Sequence, residues 1–143
     1  MPAIPIAVSC ALVYLRRMEE WEVSYRQSIL EALEVLKGSW TVAVLAELAL
    51  GQVQYKDLLE KINGFEARSN WTFHDKPLTG RTLTDTLQRA REAGLVDRLA
   101  GETQFQGVWY KLTPMGQSLL LALRPLATWA QEYREEMARL RRP

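Results

Sequence analysis

Seven side chains between residues 79 and 89 have types and spacings suited to nucleic-acid chemistry: Thr79, Arg81, Thr82, Thr84, Asp85, Gln88 and Arg89. Leu83, Leu87 and Ala90 recur at i, i+4 and i+7, the buried stripe of a helix. A step of about 100° per residue then turns Arg81, Asp85, Gln88, Arg89 and Glu92 outward. A guanidinium suits guanine O6 and N7, a carboxamide suits adenine N6 and N7, and a carboxylate accepts from cytosine N4. The hydroxyls of Thr79, Thr82 and Thr84 lie near the helix start, where free backbone N–H groups favour a phosphate. Any solvated amphipathic helix obeys the same periodicity, so the pattern permits base reading without requiring it.

Other chemistries are poorly supplied. There is one cysteine, Cys10, and one histidine, His74, too few for a Cys/His zinc site within one chain. A lone cysteine forms no intrachain disulfide, which suits a reducing cytoplasm. No triad, phosphate-cradling glycine loop or metal cluster stands out, so neither an enzyme nor a bound cofactor or metal is expected. The 18 lysines and arginines nearly balance the 17 acids, giving a net charge of +1, so any positive charge offered to nucleic acid must be local and multiplied by dimerisation. With 48 % hydrophobic and 24 % charged residues the chain reads as an ordinary folded domain. The apolar run over residues 4–15 lacks a preceding basic region and is shorter than the roughly 20 residues that span a bilayer, so no membrane association is expected.

The elements that position those side chains follow from periodicity and breakers. Residues 9–36 form one amphipathic helix or two in series, ended by Gly38, with Ser39 as the next N-cap. Residues 40–50 are apolar almost all round, the mark of a helix in the middle of a core. A short extended piece over 52–55 leads to a short helix over 56–62, stopped by Asn63 and Gly64. Residues 65–77 read as a loop, and Thr79 opens a helix to about residue 93. Strands over 95–100 and 108–113 form a hairpin, and Thr113-Pro114 starts the last helix. Its apolar positions Leu119, Leu123, Leu126, Ala130, Tyr133, Met137 and Leu140 alternate spacings of four and three, a seam for another helix, with Pro125 expected to kink it.

Three helices followed by a two-stranded wing make a mainly α, winged helix-turn-helix fold, in which residues 79–93 enter a major groove. Six fragments, in order, carry a resemblance. ALEVLKGSWTV (32–42), LAELALG (45–51), YKDL (55–58), LTGRTLTDTLQRAREAGLV (78–96), VWYKLTPMG (108–116) and LRPLATWAQEY (123–133) resemble the signature of the HxlR family of winged-helix regulators, close to the MarR type. The resemblance covers residues 29–133 with one gap. It implies a homodimer built through the first and last helices, binding double-stranded DNA with Thr79, Arg81, Thr82 and Thr84 at the start of its recognition helix. The implied division is an N-terminal helical extension over 1–28, the winged domain over 29–113 and a dimerisation helix over 114–143.

The chain departs from that family pattern in three places. Ser39 stands where the family has lysine. Some relatives sense oxidants through a cysteine just before the first core helix, where this chain has Gln27 and Ser28, with Cys10 far upstream. Residues 65–77 are extra. Arg68, Asn70, Trp71, His74 and Lys76 could there touch DNA or a ligand, Trp71 and Phe73 could wall a ligand pocket, or the insertion could simply pack. The wing loop carries no lysine or arginine; Arg98, which flanks it, and Gln104 and Gln106 are the wing's candidates for DNA contact. Five tryptophans make an aromatic small-molecule effector conceivable. The rival class is a winged-helix module that binds a ligand or protein with little DNA affinity.

Overall fold

The structure, a computed structural model, describes residues 24–69, 73–101 and 106–141. The chain divides into two compact units, residues 1–37 and 38–143. In the first, α1 (Tyr25–Val35) starts at Ser24, whose Oγ accepts from the Gln27 amide at 3.2 Å. The rest of the helix expected from residue 9 lies outside the described residues, as does Cys10.

The second unit opens on Gly38 at φ +112°, a backbone that glycine alone holds cheaply. Ser39 is not the cap of the next helix. Trp40 takes that position, with no side-chain bond to the backbone, ahead of α2 (Thr41–Leu48). This helix buries Thr41, Val44, Leu45 and Leu48 but leaves Val42 49 % and the following Leu50 89 % exposed. Burial all round is therefore not met: the helices and strand packed against α2 cover one side of it only.

A two-residue strand, β1 (Val53–Gln54), leads directly into α3 (Tyr55–Arg68). This helix continues through Asn63 and Gly64 to Arg68, so the expected stop at 62 is wrong and the first residues of the supposed loop are helical. Asn63 does not turn back on its own backbone, as helix-stopping asparagines do. Its Oδ1 accepts from the Leu78 amide at 2.8 Å and its Nδ2 donates to the Leu78 carbonyl at 3.0 Å.

Next come α4 (Gly80–Glu92), β2 (Val96–Ala100) and β3 (Val108–Leu112). The sheet has three antiparallel strands in the order β1-β3-β2, so the expected hairpin gains β1 as an edge. Val53 stands opposite Tyr110, and Arg98 opposite Tyr110 on the other side. The core lies where α2, α3, α4 and the base of the sheet meet, with Val44, Leu45, Leu58, Leu83, Leu87 and Leu95 at its centre.

Thr113 then caps α5 (Pro114–Glu132): its Oγ1 accepts from the Gly116 amide at 3.0 Å and donates to the Gly94 carbonyl at 2.6 Å. A Cβ on Gly116 would stand 2.2 Å from the Leu95 carbonyl oxygen, so glycine lets α5 lie on the turn after α4. The helix runs on through Pro125 and ends at Tyr133, before α6 (Arg134–Arg141). No helix among the described residues is long and apolar enough to cross a membrane.

Candidate nucleic-acid interface

The sequence of α4 sets its start and its inner face. Thr79 is extended at the N-cap, where its Oγ1 accepts from the Thr82 amide at 3.2 Å and donates to Thr82 Oγ1 at 3.1 Å. Leu83, Thr86, Leu87 and Ala90 are buried, which holds the helix on the core by one side. Arg81, Thr82, Thr84, Asp85, Gln88, Arg89 and Glu92 are exposed. Thr86 was not anticipated on the inner face. Its Oγ1 is buried with no hydrogen-bond partner among the described residues, a cost carried inside the helix's own anchor.

The exposed side chains are not equivalent. Thr84 Oγ1 donates to the Gly80 carbonyl at 2.9 Å and meets the Tyr55 hydroxyl at 2.9 Å; that hydroxyl also donates to the Gly80 carbonyl at 3.1 Å. Tyr55 therefore ties the first residue of α3 to the first turn of α4. Gln88 Nε2 donates to Glu92 Oε1 at 3.0 Å along the helix. The guanidinium of Arg89 lies over Gly38: a Cβ there would stand 2.7 Å from its nearest nitrogen. Arg81 and Asp85 stand exposed on the first two turns, beside the capped N-terminus.

Beside α4 a cleft of about 580 Å³ opens between the start of α3 and the wing, lined by Gln54, Tyr55, Lys56, Arg98, Gly107, Val108 and Tyr110. Its charged lining among the described residues is Lys56 and Arg98, both exposed. The Tyr55 and Tyr110 rings meet at 6.3 Å between centroids. The Gln54 side chain packs against Gly107, where a Cβ would stand 2.1 Å from its Nε2 and where φ is +71°. Gln106 is exposed, and its backbone carbonyl accepts from Trp109 Nε1 at 3.1 Å. Gln104 lies outside the described residues, with the rest of 102–105.

Among the described residues, Asn63 and His74 help to hold the insertion. Asn63 clamps Leu78, and the His74 ring stacks on Trp40 at 3.4 Å and 7°. His74 Nδ1 lies 3.2 Å from Glu66 Oε1, and Nε2 lies 2.5 Å from the Ser39 carbonyl oxygen. His74 is thus turned onto the start of α2, while Arg68 and Lys76 are exposed. Asn70 and Trp71 lie outside the described residues.

Along the seam of α5 and α6, Leu119, Leu123, Ala130 and Met137 are half-buried, while Leu126 and Tyr133 are exposed. Leu121, Trp129 and Leu140 add exposed apolar surface there. Sequence reasoning missed Tyr55, Lys56 and Asn63 as contributors. The motif 55–58 was noted, but nothing local links it to α4, which lies 25 residues on.

The comparisons agree with this geometry. The family described as HxlR-like helix-turn-helix matches residues 35–138. Over 101 residues, 71 % of this chain and 70 % of the relative, the chain is 27 % identical to the uncharacterized HTH-type transcriptional regulator YtfH of Escherichia coli (strain K12). A crystal structure assigned to a MarR-family transcriptional regulator of Enterococcus faecalis V583 superposes with a TM-score of 0.67 and 29 % identity, covering 82 % of this chain and 96 % of that one. The reduced form of the transcriptional regulator YodB from B. subtilis shares the fold at a TM-score of 0.60, with 19 % identity over 74 % of this chain and 91 % of its own. The chain belongs to the HxlR-like helix-turn-helix family, a family of winged helix-turn-helix transcriptional regulators and not of enzymes.

Proposed function

We propose that this protein is a homodimeric transcriptional regulator that seats one α4 in the major groove of each half of a pseudo-palindromic DNA site. One observation carries the reading: α4 buries Leu83, Thr86, Leu87 and Ala90 and leaves its whole opposite face, from Arg81 to Glu92, exposed. A rod anchored on one side is what a groove reader requires. Arg81, Asp85 and Gln88 face base edges, with the pairings that their chemistry favours. Thr79, Thr82 and Thr84 lie at the helix start and face the backbone. Arg89 joins them when its guanidinium leaves Gly38.

The exposed apolar residues of α5 and α6, and Ile29, Leu30 and Leu33 on α1, support dimerisation, since a second copy would cover them. On this reading the DNA contacts lie within residues 29–113, and 1–28 and 114–143 carry the dimer together with the exposed apolar residues of α1. Control by an aromatic small molecule is the remaining part of the proposal. It is supported by a cavity of about 280 Å³ between α2 and α3, walled by Ala43, Ala46, Leu50, Ile62 and Phe65 with Glu47 and Glu66 at its edge.

The test is fluorescence polarisation on the DNA upstream of the protein's own gene, at about 50 and 200 mM salt and with competitor DNA. Size-exclusion chromatography with light scattering accompanies it. Binding that survives competitor, from a dimer, is expected. No binding at low salt refutes the DNA reading, and a monomer at micromolar concentration refutes the twinned arrangement. A thermal-shift screen with aromatic metabolites reads the effector, because a ligand of the folded state raises the melting temperature.

A further inference from the structure

We infer that the base of the wing, and not its tip, holds the DNA backbone: the cleft lined by Lys56 and Arg98 is the seat of a duplex phosphate. The inference rests on the DNA-binding reading above; it adds Lys56 and gives Arg98, already a candidate for DNA contact from the sequence, a specific partner and seat. It begins from a deficit. The loop between the wing strands reads Glu102-Thr103-Gln104-Phe105-Gln106 and contains no lysine or arginine, so the tip has no cation for a polyanion. Yet phosphate contacts set the position and much of the affinity of a protein on duplex DNA.

The cations that the tip lacks stand at the base. Arg98 lies opposite Tyr110 on β3, and cross-strand partners share a sheet face. Tyr110 meets Tyr55, and the Tyr55 hydroxyl reaches Gly80 and Thr84 on α4. A single row thus runs from the wing through two tyrosines to the first turn of α4. Lys56, next to Tyr55, closes the same cleft from the start of α3.

Among the described residues no carboxylate lines this cleft. Asp97 alternates to the other sheet face, opposite Lys111. Asp57, the acid in the first turn of α3, is not among the lining residues. The cleft is also adjacent to the proposed groove reader, as a backbone seat must be when α4 occupies the groove. Charge complementarity therefore commits the occupant to a nucleic-acid phosphate on the strand beside that groove.

The experiment uses the full chain and a labelled duplex from the DNA upstream of its own gene, titrated by polarisation across about 50–300 mM KCl. Lys56→Ala, Arg98→Ala and the double variant are compared with Lys111→Ala, an exposed cation on the opposite sheet face. Each cleft variant should lower the slope of log K against log salt by about one and weaken binding up to about eightfold near 0.1 M, with the double variant losing about two. A scrambled duplex should lose affinity by the same factor, because a phosphate carries no sequence. Lys111→Ala should leave the slope at the wild-type value. Wild-type slopes in the cleft variants, or an equal effect from Lys111→Ala, overturn the seat and leave the DNA-binding reading intact. A wild-type protein that binds no duplex overturns both. Unchanged thermal melting of each variant, expected for exposed side chains, separates lost contact from lost fold.

Discussion

Replacing Tyr55 with phenylalanine removes one oxygen and keeps the ring that packs toward Tyr110. The oxygen sits in a triangle with Thr84 Oγ1 and the Gly80 carbonyl, at 2.9, 3.1 and 2.9 Å. Two hydroxyl protons serve these three contacts, so only two bonds form at a time. Without the tyrosine oxygen, Thr84 still donates to Gly80 and neither group is orphaned. The loss is therefore one net hydrogen bond, about 1 kcal/mol. That is a factor of about five in the folding equilibrium and roughly 3–5 °C in Tm for a chain of this size. Because the lost bond joins α3 to the first turn of α4, DNA affinity should fall a few-fold as well. Urea denaturation and polarisation read both effects. A double-mutant cycle with Thr84→Val should come out close to additive, because each single variant keeps one bond to the Gly80 carbonyl and the double variant loses both. An unchanged urea midpoint for Tyr55→Phe would refute the clamp.

Thr86→Val should stabilise the fold by about 1 kcal/mol, since it replaces a buried, unpartnered hydroxyl with a methyl of similar size; a lower urea midpoint would contradict this. Asn63→Ala strips both partners from the Leu78 backbone and should cost about 2 kcal/mol, with faster hydrogen exchange at the Leu78 amide. An unchanged exchange rate there would show that the insertion is held elsewhere. Gly116→Ala forces a Cβ to 2.2 Å from the Leu95 carbonyl and should cost at least about 2 kcal/mol by thermal melting, whereas a neutral effect would mean that α5 lifts off the turn freely.

Helix α4 was legible because its signals are local. A threonine cap, a glycine behind it and a stripe at i, i+4 and i+7 lie within sixteen residues. The wing strands and the Thr113-Pro114 start were legible for the same reason. What escaped depends on contacts between distant segments. Asn63 has the composition of a helix stop, yet its carboxamide serves Leu78, so the helix continues. Val53–Gln54 is too short to announce itself as a strand without β3 beside it. An apolar α2 reads as buried all round, but its neighbours cover one side only, leaving Val42 and Leu50 uncovered. Arg89 lies on the outer arc of α4 by angle, and only the approach of Gly38 shows where its guanidinium rests. Tyr55 and Lys56 gain their roles from the wing and α4 together, which no run of adjacent residues encodes.

The central claim is that two copies of α4 enter successive major grooves of one duplex. Dimethyl sulfate protection reads it most directly, because the reagent methylates guanine N7 on the groove floor. The expected result is two protected clusters about 10 base pairs apart, one per half-site, both lost in Arg81→Ala. Protection absent from the major groove, or unchanged by Arg81→Ala together with Gln88→Ala, would contradict it.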